Sequence, residues 1–345
     1  MKATDKSIYY DGNKILSYNA PVNIVIGERS EGKTYFFKRK GIKNYLKDGS
    51  TWVYCRRYDE VLKSMLDKRP FFGDIVANDE FPGIDLKVEG RTMRLRREGS
   101  KNWETFGYFT ALSRAQSYKG TTDPTCTMLV YDEFINELRV PPYLPNEPNI
   151  LMNYWETLDR REDRVKIIML ANAADMVNPF FLSWGITLEK PGFKRYRQGM
   201  LVVQWDDNPG FAAHAADSNI GRFTAGTSYD DYARNNMFIG SGDEFIEKKP
   251  SSAKPVCTLQ YRDQQYGIWR DAKQGRYYVT RKIAPNVLIF ALTQSDHRPN
   301  LIMLDQADPF IKAIVQHYRY GMLFFDNPAT RESFMLALRF LGRLR

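Results

Sequence analysis

At 345 residues, 43% hydrophobic and 26% charged, the chain is longer than one hydrophobic core usually supports, so two domains are expected. No stretch approaches the roughly 18 consecutive apolar residues of a membrane helix, and three scattered cysteines with three histidines argue against a disulfide framework or a structural zinc site. A formal charge of +9 and a pI near 9.2 favour a polyanionic partner, of which nucleic acid is the commonest.

The N-terminal part alternates short apolar runs with longer helix-like segments. The runs are Val22–Ile26, Trp52–Cys55, Met128–Tyr131, Ile167–Leu170 and Leu201–Trp205. Several are apolar throughout, as strands covered on both faces should be, which predicts an α/β domain with a mostly parallel sheet. Between Asp85 and Leu95 the residues alternate on both sides of a turn, and this reads as a two-stranded hairpin after the second strand. From Asp206 to Gly242, clusters of glycine, asparagine and aspartate suggest a linker. Strand-like runs follow at Val256–Tyr261, Tyr266–Trp269, Arg276–Thr280 and Val287–Leu292, with helix-like text toward the C-terminus, so a mixed sheet with flanking helices is expected there. The expected division is an ATPase domain over 1–199, a linker over 200–241 and a second domain over 242–345.

The run Val22–Ile26 leads directly into Gly27-Glu28-Arg29-Ser30-Glu31-Gly32-Lys33-Thr34 and then a helix-like segment. This is the P-loop pattern in its strand–loop–helix setting. Its glycines let backbone N–H groups wrap phosphates, and the helix N-terminus adds its dipole. Lys33 is placed to reach the β- and γ-phosphates of ATP, and the Thr34 hydroxyl to coordinate Mg²⁺. Glu28 and Glu31 are acidic beside a phosphate site, so their side chains must point away from it.

A second apolar run ends in Asp132-Glu133. Asp132 at that strand tip is a second Mg²⁺ ligand, and Glu133 is placed to polarise the attacking water. Small-molecule kinases need no such base. Asn172 ends the run Val165–Ala171 and is in position to contact the γ-phosphate. The charged segment Arg160-Arg161-Glu162-Asp163-Arg164 could offer an arginine to a neighbouring subunit's nucleotide, although by themselves these residues read better as a solvated, salt-bridged helix end.

With these motifs stand Ile15–Tyr18, Val53–Tyr58, Tyr143–Glu147, Val177–Leu182, Phe238–Gly240 and Phe245–Lys248, in this order. Together they resemble the genome-packaging (DNA encapsidation) ATPases of small short-tailed phages with protein-primed linear genomes, over essentially the whole chain. The resemblance implies an additional-strand (ASCE-type) P-loop domain followed by a smaller α+β RNase H-like domain that has lost its nuclease role and binds scaffold RNA or the portal. It implies a homomeric ring, usually a pentamer, that threads double-stranded DNA into a preformed prohead at the expense of ATP. The protein would then work in the host cytoplasm, transiently on the portal vertex, without a membrane partner. The first six residues, which lack the apolar core of a secretory signal, agree with that setting. The resemblance also gives Lys33 and Thr34 the Walker A roles, and Asp132 and Glu133 the Walker B and base roles. Asn172 takes the sensor position, Arg160 the trans-acting finger, and Lys119 that of a second basic residue reaching across the interface. The charge order after Arg160 departs from the family, which leaves Arg160, Arg161 and Arg164 all open as the finger.

Two other readings stand beside the translocase. One is a terminase-type large subunit whose C-terminal domain still cleaves, with Asp263, Asp271, Asp296 and Asp305 as available carboxylates. The other is a nucleic-acid or portal-binding assembly factor switched by ATP. For DNA contact, Arg91, Arg94, Arg96 and Arg97 of the hairpin and the loop Lys190–Arg197 are the candidates.

Overall fold

The computed structural model describes residues 8–68, 70–118, 123–135, 142–172, 178–188, 190–227, 245–262, 264–304 and 308–340. The chain divides into two compact units, Met1–Ile239 and Gly240–Arg345.

The first unit carries strands β1 (Val22–Gly27), β2 (Thr51–Arg56), β3 (Ile84–Glu89), β4 (Thr92–Arg97), β5 (Glu104–Ala111), β6 (Cys126–Asp132), β7 (Lys166–Asn172), β8 (Gly192–Tyr196) and β9 (Leu201–Trp205). They form one sheet in the order β3-β4-β5-β2-β6-β7-β1-β9-β8. From β5 to β9 every neighbouring pair is parallel, and only the two edges turn antiparallel. Its helices are α1 (Asn13–Ser17), α2 (Lys33–Asp48), α3 (Asp59–Lys68), α4 (Gly73–Ala77), α5 (Glu147–Asp159), α6 (Pro179–Trp184), α7 (Pro209–Ala216) and α8 (Asn219–Thr224).

The apolar runs become the central strands because both of their faces are covered. β1 is buried at every position. Alternate residues serve opposite faces: Ile24 and Ile26 pack with Leu129, Phe134 and Phe180, while Val25 packs with Phe37, Tyr54 and Ile168. Each such fully buried side chain contributes about 1.5–3 kcal/mol of burial free energy. The strand β7 lies between the P-loop strand β1 and the Asp132 strand β6, which is the additional-strand arrangement. The hairpin forms as β3 and β4, with Ile84 opposite Arg97 and Glu89 opposite Thr92.

Three features differ from the sequence-based expectation. β5, which no apolar run announced, links the hairpin to β2. The loop around Lys190–Arg197 contains the edge strand β8. The run Leu201–Trp205 joins the sheet as its apolar pattern predicts, paired with β1, but α7 and α8 follow it within the span expected as a linker. The segment expected as a linker from residue 200 therefore begins inside the first unit. Glycine and asparagine there make helix caps: the Asn208 side chain accepts from the Phe211 N–H at the start of α7.

The second unit has β10 (Lys254–Tyr261), β11 (Gln264–Asp271), β12 (Arg276–Thr280), β13 (Ile289–Ala291), β14 (Ile302–Met303) and β15 (Leu323–Phe325), with helices α9 (Pro309–Arg319) and α10 (Pro328–Phe340). The sheet order is β14-β13-β10-β11-β12-β15. β10, β11 and β12 are antiparallel, and β13 runs parallel to β10 and β14 to β13, as expected of an RNase H-like sheet. Ile311, Ile314, Phe334 and Leu338 of the two helices pack on Leu259, Ile268 and Val279.

A buried ion network joins β2, β6 and α5 in the first unit. Arg57 Nε donates to Glu147 at 2.8 Å, and the Tyr131 hydroxyl and the Leu144 N–H donate to the same carboxylate at 2.6 and 2.7 Å. Both charges are almost inaccessible, with side chains 5% and 0% exposed. Glu147→Ala would strand a buried guanidinium, at a cost of about 3–5 kcal/mol. Urea unfolding followed by tryptophan fluorescence should show the midpoint fall accordingly, and an unchanged midpoint would refute the role given to this network.

Candidate nucleotide site

Parallel strands bring their C-terminal ends to one sheet edge, and ligands of open α/β sheets bind there. The register places Gly27 opposite Asn172 and Asp132 opposite Leu170. Beyond Gly27 the chain turns through Ser30 (φ 66°) and Gly32 (φ 100°) into α2. The left-handed conformation at Gly32 lets α2 begin at Lys33, with its first N–H groups facing the loop.

The Lys33 ammonium is buried. It donates to the Glu28 carbonyl at 2.5 Å and to Asn172 Oδ1 at 3.4 Å, and lies 3.7 Å from Glu31 Oε2. Burial pulls its pKa below the usual lysine range, against the attraction of Glu31, Asp132, Asp206 and Glu28. The Thr34 hydroxyl donates to Asp132 Oδ2 at 2.9 Å, so two oxygens suited to a hard cation stand together. The Asp132 carboxylate also accepts from the Tyr54 hydroxyl at 2.7 Å and from the Glu133 N–H at 3.0 Å.

Glu133 follows the strand in a left-handed turn (φ 55°) that ends β6. Its carboxylate forms an ion pair with the Arg56 guanidinium at the end of β2. The Glu133 side chain is 60% exposed and that of Arg56 only 12%, so the glutamate faces outward from a fixed cation. Arg56 and Tyr54 were not singled out from the sequence as site residues. Their signal was a polar pair, Arg56-Arg57, directly after an apolar run, but only strand pairing shows that β2 lies beside β6.

Lys33, Thr34, Asp132, Glu133 and Asn172 thus meet at one edge. Arg29 and Ser30 are exposed in the loop, whereas Glu28 and Glu31 are buried. The Glu31 side chain lies between Lys33, 3.7 Å from its ammonium, and Asp206 after β9.

Arg160 does not join them. It caps the C-terminus of α5 (φ 55°), before β7 begins, so the length of β7, roughly 20 Å, separates it from Asn172. Its side chain is exposed and has no ion pair among the described residues. Arg161 pairs with Glu156 at 2.7 Å on the surface. The Arg164 guanidinium is engaged by the carbonyls of Asp123, Cys126 and Leu158. Lys119 lies outside the described residues.

The hairpin arginines are paired with acids: Arg91 with Asp59, Arg94 with Glu89, Arg96 with Asp85 and Arg97 with Glu104. On β8 and after it, Arg195 and Arg197 are exposed and have no ion pair among the described residues. In the second unit, Asp271 accepts from the Ser252 hydroxyl and the Lys273 N–H, both at 2.9 Å. Asp296 accepts from the Arg262 N–H at 2.8 Å. β10 carries no carboxylate, and no cluster of three metal-ligating side chains occurs among the described residues. Asp263 and Asp305 lie outside them.

The chain is 31% identical over 331 residues to the DNA packaging protein of Bacillus phage phi29, an alignment covering 95% of this chain and 96% of that protein. The fold matches a chain of the bacteriophage phi29 viral genome packaging motor assembly with a TM-score of 0.77 and 28% identity, covering 98% of this chain and 100% of that one. It also matches the N-terminal domain of the phi29 DNA packaging ATPase, with a TM-score of 0.51 and 33% identity over 58% of this chain and 97% of that domain. Residues 4–339 match the podovirus DNA encapsidation protein (Gp16) family, and with the P-loop edge built as above, the chain belongs to that family.

Proposed function

We propose that this chain is the ATP-hydrolysing subunit of a ring motor that drives double-stranded DNA into a prohead. The observation that carries the reading is the meeting of Lys33, Thr34, Asp132 and Asn172 at one sheet edge with Glu133 beside them. Thr34 and Asp132 would hold Mg²⁺, which with ATP neutralises charge on the phosphates. Lys33 binds the β- and γ-phosphates, and Asn172, already in contact with Lys33, reports their presence to β7. Glu133 is the base that orients water, and Arg56 fixes where that carboxylate sits. For the loop itself, the backbone of Gly27, Glu28, Arg29, Ser30, Glu31 and Gly32 supplies the phosphate cradle.

Arg160 supports the ring. It is too far from the nucleotide edge of its own subunit, and it is the arginine of its segment without a local partner among the described residues. It therefore serves a neighbour's site, with Lys119 as a second contact across that interface. Arg195 and Arg197 are better placed than the hairpin arginines to meet DNA, because the latter are already neutralised. Asp271 and Asp296 are committed to turns, which supports a second unit that binds the portal or a scaffold RNA rather than cutting DNA. On this reading the protein acts in the host cytoplasm, on the prohead vertex.

Glu133→Gln is expected to abolish ATP turnover while ATP still binds, and filter binding beside a phosphate-release assay reads both. DNA packaging by this variant would sink the motor reading in favour of an assembly switch. Lys33→Ala and Arg160→Ala should each lose at least about 10³-fold in turnover. Mixing the two inactive chains should restore part of it, since some interfaces then pair an intact P-loop with an intact arginine; a mixture with no activity would place the finger elsewhere. Replacing Arg195 and Arg197 by alanine should weaken DNA binding and reduce the slope of log affinity against log salt by about one for each phosphate contact removed.

A further inference from the structure

Glu31 is the P-loop residue that phosphate binding does not explain. Its side chain is only 1% exposed. The carboxyl lies against Gly27, so that a Cβ there would collide with Glu31 Oε2 and stand 3.2 Å from the Asp206 Cβ. Glu31 and Asp206 thus lie side by side against Gly27, and Asp206 disfavours ionisation of the Glu31 carboxyl. No well-formed hydrogen bond from an N–H or O–H donor reaches either Glu31 oxygen among the described residues, although Asn208 lies close enough to favour the charged form weakly.

Glu31 is buried and Asp206 half-buried, and two carboxyls this close cannot both ionise without strong repulsion. A single proton converts the repulsion into an O–H···O hydrogen bond. The pair then closes a circuit through three segments. The Tyr10 N–H donates to the Glu31 carbonyl at 3.0 Å, the Tyr10 hydroxyl donates to Gln204 Oε1 at 2.9 Å, and Gln204 Nε2 donates to Asp206 Oδ1.

We propose that Glu31 and Asp206 share one proton, and that this acid pair positions the P-loop and leaves the Lys33 charge available to phosphate. The proposal rests on the reading of Gly27–Thr34 as a nucleotide site. With the proton in place, Glu31, Asp206 and Lys33 together carry no net charge. Without it, a second buried anion competes for Lys33 and repels incoming phosphate over a few ångströms of poorly screened space. The groups that face the pair are Lys33 from α2, Tyr10 from the N-terminal segment and Asn208 before α7. Asp132 and Glu28 act on Lys33, and Asp11 acts on Tyr10, whose burial keeps its hydroxyl protonated.

Burial, reinforced by Asp206 and opposed by Lys33, pushes the Glu31 carboxyl up to about 9. A carboxyl raised in this way keeps its proton at neutral pH. Its contribution is complete below the ordinary carboxylate range and disappears as pH rises through about 9. Lys33 also loses charge on the alkaline side, so the deciding comparison is with E31Q, whose amide can donate to Asp206 without titrating.

Binding of a fluorescent ADP analogue with Mg²⁺ at about pH 7 and about pH 9.5 tests this. The wild-type chain is expected to lose more affinity across that interval than E31Q, and D206N should also show the smaller loss. E31L, which cannot donate, should bind more weakly than E31Q at both values. The same loss in wild type, E31Q and D206N would overturn the proposal. Thermal melting without nucleotide at the same two pH values gives a reading independent of ligand. The wild-type chain should lose more in melting temperature than E31Q, and equal losses would overturn the shared proton. If the wild-type chain bound no ADP at either pH, the nucleotide-site reading would fail, while the melting comparison would still decide the pair.

Discussion

Because β6, β7 and β1 run parallel, with Asp132 opposite Leu170 and Asn172 opposite Gly27, the side chains leaving their C-terminal ends are committed to one edge. The helix α2 depends on the same constraint, since its first residues, Lys33 and Thr34, must leave the tip of β1 and turn back over the sheet. Chemistry is thereby positioned by strands buried on both faces, which are the most rigid part of such a fold.

The edge is crowded with charge. Lys33 is surrounded by acidic groups at Glu31, Asp132, Asp206 and Glu28, and Arg56 balances Asp132 and Glu133 from β2. Networks of this kind contribute little to stability, because desolvation offsets most of the Coulomb gain. Their effect is geometric. Asp132 accepts from Thr34, Tyr54 and the Glu133 backbone, so its orientation is set by three different elements. Arg57 and Glu147 do the same one layer behind, where the Arg57 guanidinium also holds the Phe134 carbonyl just after the Glu133 turn.

The second unit uses its polar groups differently. Asp271 and Asp296 close turns, and α9 and α10 supply the apolar cover on one face of the sheet. Cations on and beside this sheet lie over aromatic rings, among them Lys249 over Trp269, Arg270 over Tyr277 and Arg281 over Tyr266. β10, one of the two central strands of this sheet, carries no carboxylate.

What could be read from the chain alone was whatever is encoded locally. The P-loop glycines, Asp132-Glu133, Asn172 and the central apolar strands are contiguous patterns, and the turn between Glu89 and Thr92 marked its own hairpin. β5, β8 and the helices after Leu201–Trp205 were not legible, because polar residues and Gly107 interrupt the apolar residues of β5, β8 is a short exposed strand, and the glycines and asparagines of caps resemble those of a linker. Tertiary structure alone decided the pairings across long separations: Tyr54 with Asp132, Arg56 with Glu133, and Glu31 with Asp206. It also distinguished Arg160, which stands in solvent, from Arg164, which three carbonyls engage. The physical reason is that periodicity reports how one segment is buried, whereas which segments become neighbours is set by strand order, and strand order leaves no mark on either segment by itself.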